Sequence, residues 1–145
     1  MNTGLLILGI ALLAAVGFGL HRRRTDGRFA APPAAPEDTP WSRIAAALPD
    51  ATPGTRATLV QFSSAFCAPC RTTRVVLADV AAHHRGVTHL EVDAEKHLEL
   101  VRALDVRRTP TTLILDGAGR ELTRAAGAPR REQVLAALPA SQETR

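Results

Sequence analysis

From Gly4 to Leu20 the chain runs 17 residues without a charged side chain, all of them Gly, Ala, Leu, Ile, Val or Phe, and Arg22, Arg23 and Arg24 follow after His21. A helix that crosses the hydrocarbon core of a bilayer needs about 20 apolar residues, with a lower limit near 17, so this run predicts a transmembrane helix. A soluble core helix would carry a polar face, and none is present here. A secretory signal peptide would place positive charge before its apolar run and a small-residue cleavage site after it. Only the α-amino group precedes this run, and a twin-arginine signal fails for the same reason. Residues 1–24 are therefore expected to form an uncleaved anchor with a basic flank, residues 4–20 lying in the bilayer. Arginines beside a membrane segment are retained on the cytoplasmic side. The expected location is thus the cell membrane, single-pass, with everything after Leu20 in the cytoplasm.

Residues 25–40 (TDGRFAAPPAAPEDTP) contain Pro32, Pro33, Pro36 and Pro40 among small and charged residues, with no apolar periodicity. Such composition favours extended polyproline geometry, in which 16 residues at roughly 3.1 Å each reach about 50 Å. This segment is expected to be a linker. It leaves residues 41–140 for one domain and 141–145 as a tail, and roughly 100 residues can bury a single modest core. With 46% hydrophobic residues the chain is too apolar to be wholly disordered. Its two cysteines exclude a disulfide-rich scaffold and cannot alone complete a four-ligand zinc site. The net charge of +4 comes without any basic block interleaved with aromatics, so a nucleic-acid partner is not expected.

From Trp41 onward the pattern alternates between element types. Trp41 to Leu48 reads as a short amphipathic helix with Trp41, Ile44, Ala45 and Leu48 on one face. Ala57 to Ser63 is a largely apolar run suited to a buried strand, and a longer helix is expected from Ala68 to His84, with Val75, Val76 and Val80 on its apolar face. Val87 to Asp93 alternates as a strand, and Lys96 to Leu104 reads as helix. Thr111 to Asp116 and Arg120 to Ala125 form a hairpin across Gly117-Ala118-Gly119, and Pro129 opens a closing helix carrying Val134, Leu135 and Leu138. The order α-β-α-β-α-β-β-α predicts an α/β fold, a mixed sheet with helices on both faces.

Both cysteines sit at one junction of this pattern, in Cys67-Ala68-Pro69-Cys70, directly after a strand and at the start of a helix. The first turn of a helix has unpaired N–H groups and the positive end of the macrodipole, both of which stabilise a thiolate. Cys67 is the better placed for this and is the candidate nucleophile. Cys70, one turn deeper, is near enough to attack a mixed disulfide on Cys67. Pro69 fits early-helix geometry and has no N–H to lose. Metal binding would need further ligands from His83, His84, His89 or His97, none of which shows zinc-module spacing. Haem attachment needs a His where Arg71 stands, and an inert disulfide over so small a loop would stabilise little.

The stretch T-L-V-Q-F-S-S-A-F-C-A-P-C-R resembles the strand–active-site–helix segment of the thioredoxins. Arg108-Thr109-Pro110-Thr111 resembles their cis-proline loop, and Gly127 falls where that family keeps a glycine before its last helix. The resemblance covers residues 41–140 and implies a thioredoxin-like fold. It further implies that Pro110 is cis and stands against the cysteine pair, that the backbone of Thr109 pairs with an extended substrate segment, and that Phe66, Ala68 and Pro69 offer a docking patch. Phe66 reads equally well as a core residue. Three departures stand out: Ala68 replaces the glycine typical of cytosolic reductants, Ser63 replaces a usual Trp, and Gln61 replaces a buried Asp. An amide cannot take and release a proton at ordinary pH. The family's first strand also has no match. The histidines are expected to be solvated.

The expected function is a membrane-tethered thiol–disulfide oxidoreductase acting on protein disulfides through Cys67 and Cys70, without a cofactor or metal, as a monomeric domain reset by an upstream reductant. Two alternatives stand beside it. One is extracytoplasmic disulfide handling or cytochrome c maturation. The other is a non-catalytic adaptor or a module holding a soft metal.

Overall fold

The computed structural model describes residues 3–25 and 38–140. Most of the proline-rich linker and the 141–145 tail lie outside the described residues. The chain divides into two compact units, Met1–Ala34 and Ala35–Arg145.

In the first unit, helix α1 (Thr3–Thr25) covers the expected anchor segment. Its described apolar side chains, Ile7, Ile10, Leu12, Leu13, Val16 and Phe18, are exposed. Among the described residues no helix is long and apolar enough to cross a membrane. Several side chains of α1, those at 3, 5, 6, 8 and 19–25, lie outside that description.

The second unit is built from α2 (Pro40–Ala47), β1 (Ala57–Ser63), α3 (Ala68–His83), β2 (Val87–Asp93), α4 (Leu98–Ala103), β3 (Thr111–Asp116), β4 (Glu121–Ala126) and α5 (Arg131–Ala137). The strand order is β2-β1-β3-β4. β1 runs parallel to β2 and antiparallel to β3, and β3 and β4 pair as the hairpin. The sheet is mixed, as the pattern predicts, and among the described residues its first strand is the one that leads into the cysteines.

β1 is buried at every position, because it lies in the middle of the sheet with helices on both sides. Side chains alternate across a strand, so Val60 and Phe62 face α2 and α4, together with Ile44, Val92, Leu100, Leu104, Leu113 and Leu115. Ala57 and Leu59 face α3 and α5, with Leu77, Val80, Val87, Ile114 and Val134. Helix α2 starts on a cap: the Thr39 hydroxyl accepts from the Ser42 N–H, with Pro40 at the first helical position. At the hairpin, Gly119 has φ +78° and an added Cβ would lie 2.4 Å from the Cβ of Trp41. Only glycine meets both demands at that turn.

Three details differ from the sequence reading. Val75 is exposed, and the inward stripe of α3 is Cys70, Thr73, Leu77 and Val80. That stripe is spaced at three and four residues from Cys70, so the cysteine and not the valines sets the helix's phase. Pro129 precedes α5, whose N-cap is Arg130 with its backbone N–H bonded to Gln133 Oε1. In α2, Ala47 and not Ala45 joins Trp41 and Leu48 around Ile44.

Candidate redox site

Cys67 is the N-cap of α3, and its Sγ accepts from the backbone N–H of Cys70 at 3.2 Å. This follows from the sequence: an extended residue must end β1's loop, and Ala68 and Pro69 then open the helix without an N–H requirement at the proline. The two sulfurs form a disulfide with Cα atoms 5.2 Å apart. Cys70 is 1% exposed, whereas Cys67 is half-buried at the surface. In the reduced form the same N–H and the start of a 16-residue helix would stabilise a thiolate on Cys67.

The surface beside the pair is apolar. Phe66 is 98% exposed, which decides between core and surface in favour of the surface, and Ala68 and Pro69 are exposed with it. The Thr109–Pro110 peptide bond is cis. The hydroxyls of Ser64 and Thr109 are bonded at 3.0 Å, and the Cys67 N–H reaches Ser64 O at 3.3 Å. The cysteine loop and the proline loop are thereby joined. Pro110 is buried, and its carbonyl accepts from the Gly127 N–H at 2.7 Å.

Beneath the cysteines lies a polar network. The fully buried Gln61 places its amide nitrogen 2.9 Å from Cys70 O and 2.8 Å from Ser63 Oγ. Its amide oxygen stands 3.1 Å from His89 Nε2. The sequence reading expects a solvated His89; instead it is half-buried on β2, next along the same strand face from Glu91, the register partner of Gln61. Burial pushes its imidazole below the ordinary value. Glu91 receives two hydrogen bonds of 2.6 Å from Arg74. That pairing, and to a lesser degree the Ser63 hydroxyl, holds its carboxyl below the usual range. Glu91, Arg74, Asp93, Ser63 and both cysteines border a groove of about 380 Å³.

His89, Glu91 and Arg74 escape sequence reasoning because each looks like an ordinary surface charge. The signal that finds them is the strand period: His89, Glu91 and Asp93 alternate onto the face of β2 that continues the row of Leu59, Gln61 and Ser63 on β1. Among the described residues no group of three or more His, Cys, Asp or Glu gathers in metal-binding geometry.

Known proteins are similar to this chain in sequence and in fold. Thioredoxin H2-1 of Oryza sativa subsp. japonica is 31% identical over 78 residues, covering 54% of this chain and 56% of its own length. Thioredoxin domain-containing protein 2 of Homo sapiens is 40% identical over 58 residues, which are 40% of this chain and 10% of the human protein. The chain thus spans little more than half of the rice relative and a small part of the human one. Among solved structures, a mutant thioredoxin from Halobacterium salinarum superposes with a TM-score of 0.54 at 19% identity, covering 58% of this chain and 73% of its own. Thioredoxin NaTrxh from Nicotiana alata gives 0.53 at 21% identity, covering 66% and 79%. These two similarities speak for the fold. The thioredoxin family profile matches residues 50–140, from the loop before β1 to the end of α5, and on that match the chain belongs to the thioredoxin family.

Proposed function

We propose that the chain is a membrane-tethered thiol–disulfide oxidoreductase that reduces protein disulfides with Cys67 as nucleophile and Cys70 as resolving thiol. The observation that carries this reading is the asymmetry of the pair: Cys67 caps a helix at the surface, while Cys70 is buried one turn behind it. The Cys67 thiolate attacks one sulfur of a substrate disulfide, forming a mixed disulfide and releasing the first substrate thiolate, which takes a proton from water. Cys70 then loses its proton to water and attacks Cys67 Sγ. The Cys67–Cys70 bond forms, the mixed disulfide breaks, and the second substrate thiolate leaves. Two electrons pass from the pair to the substrate, and an external dithiol must restore them. Phe66, Ala68 and Pro69 supply the apolar surface for docking, and the backbone beside Thr109 and Pro110 supplies an edge for an extended substrate segment.

Tethering is supported by the uncharged run from Gly4 to Leu20 and by the helix that contains it. The 17 uncharged residues would extend about 26 Å at 1.5 Å each, at the lower limit for a hydrocarbon core of about 30 Å. Arg22, Arg23, Arg24 and Arg28 favour a cytoplasmic redox domain, since moving them across the bilayer is opposed by hydration and membrane potential.

The test uses the full chain in cells. Cys70→Ser should accumulate mixed disulfides through Cys67 in the membrane fraction, and Cys67→Ser should accumulate very few. A membrane-impermeant thiol reagent applied after gentle reduction should leave Cys67 unlabelled until lysis. Equal trapping by both variants would overturn the assignment of nucleophile and resolving thiol. Labelling in intact cells would move the domain outside, where disulfide reshuffling or cytochrome c maturation is the function to pursue.

A further inference from the structure

The buried network orders its own atoms. Cys70 O is a carbonyl and can only accept, so the group of Gln61 that lies 2.9 Å from it must be the amide NH₂. The second N–H of that NH₂ goes to Ser63 Oγ. The amide oxygen is therefore the atom facing His89, and an oxygen only accepts. His89 must carry its proton on Nε2 and donate it to Gln61 Oε1 across 3.1 Å. Each bond in this chain fixes the direction of the next, and the last one ends on the backbone of the resolving cysteine. Without the donor on β2 the buried amide oxygen would have no partner, and only the Cys70 carbonyl would oppose a flip that sets that oxygen against it.

We propose that His89 is a positioning residue for Cys70, acting through Gln61. It does not exchange a proton with the thiol. It locks the amide so that Gln61 holds the first turn of α3 at the depth from which Cys70 Sγ meets Cys67 Sγ. The inference rests on the thiol–disulfide reading above and gives a defined part to a strand position that is otherwise an ordinary surface histidine. It also separates the two chemical steps. Attack by Cys67 depends on the helix start and the exposed surface, whereas attack by Cys70 depends on the network below it.

The reduced full chain, mixed with Ellman's reagent, should release two equivalents of coloured thiolate in succession, the first on attack by Cys67 and the second on attack by Cys70. Cys70→Ser identifies the first phase by removing the second. His89→Leu should leave the first phase within about twofold and slow the second by about tenfold, the size expected when one buried hydrogen bond no longer positions a reacting group. His89→Gln, which offers an N–H in place of Nε2–H, should restore most of the second phase. Gln61→Met should show the same selective loss, and adding His89→Leu to it should slow the second phase no further. An unchanged second phase in His89→Leu, equal slowing of both phases, or additive losses in the double variant would each overturn the assignment. Should His89→Leu fail to fold, Gln61→Met and His89→Gln still decide it: a normal second phase in the former, or a lost one in the latter, defeats the proposal. Failure of the unaltered chain to release any thiolate would instead refute the thiol–disulfide reading itself.

Discussion

The two faces of the sheet are buried to similar depth and handle polar groups differently. On the α2/α4 face the buried polar side chains are Thr58, Thr111 and, at the start of α2, Thr39, and each closes a local bond: Thr58 Oγ1 accepts from the Gly54 N–H, Thr111 Oγ1 donates to Arg108 O, and Thr39 Oγ1 accepts from the Ser42 N–H. Everything else there is hydrocarbon around Phe62 and Ile44. On the α3/α5 face hydrocarbon fills the end around Leu59, Leu77 and Val134. The cysteine end of that face holds Gln61, Ser63, His89 and Glu91, bonded to one another or to α3, and two hydroxyls, Thr73 Oγ1 and Thr112 Oγ1, that have no partner among the described residues. One face is built for stability, and the other gives up some of it to hold the helix that carries the cysteines in a defined position.

That contrast can be broken most forcefully on the hydrocarbon side. Phe62 is fully buried, and Phe62→Ala should lower the unfolding free energy by about 3–5 kcal/mol, the usual range for such a truncation. Denaturant unfolding of the full chain checks it; a loss under about 1 kcal/mol would mean that α2 and α4 close over the gap and that this face is not the rigid one. On the polar side the sign should reverse. Thr112→Val exchanges an unpartnered buried hydroxyl for a methyl group of similar shape on a strand that favours β-branched residues, and should raise stability by about 1 kcal/mol. If it destabilises instead, the hydroxyl has a partner and the two faces are less different than they look.

The smallest effect is a dependence on pH. The folded imidazole of His89 resists protonation relative to its ordinary value of 6.5. The unfolded chain therefore binds the extra proton first, and stability falls as pH drops through and below that value. Glu91, held ionised by Arg74, acts in the same direction only nearer its own ordinary value of 4.5. Between the two, His89→Gln should flatten the slope of stability against pH. Parallel slopes for the two proteins over that interval would remove His89 from the account.

Much of the domain is legible without coordinates. β1, β2 and β3 fall where apolar runs and alternation place them, because each is bounded by turn residues and long enough to show its period. The cysteine motif is legible because its position at a strand-to-helix junction carries chemical meaning on its own. The inward stripe of α3 is harder to read: three valines within six residues advertise an apolar face, but Val75 points to solvent, and the buried positions include Thr73 and Cys70, which a hydrophobicity pattern undervalues. His89 is hidden for another reason. Its role depends on how β2 lies against Gln61 across a parallel pair joined by a crossover through α3, and no local pattern reports such a register.

The way the chain enters the second unit has a mechanical side. Behind Asp38 the backbone is fastened at once: Thr39 caps α2, the Trp41 N–H bonds to Gly119 O at 3.2 Å, and Arg43 reaches Ala103 O at the end of α4. The hairpin turn receiving Trp41 is stiffened by Asp116, whose side chain accepts from the Ala118 and Arg120 N–H groups at 2.9 Å each. A pull delivered to the chain ahead of Asp38 would therefore first load α2, the hairpin turn and the end of α4. The helix bearing Cys67 and Cys70 makes none of these fastening bonds.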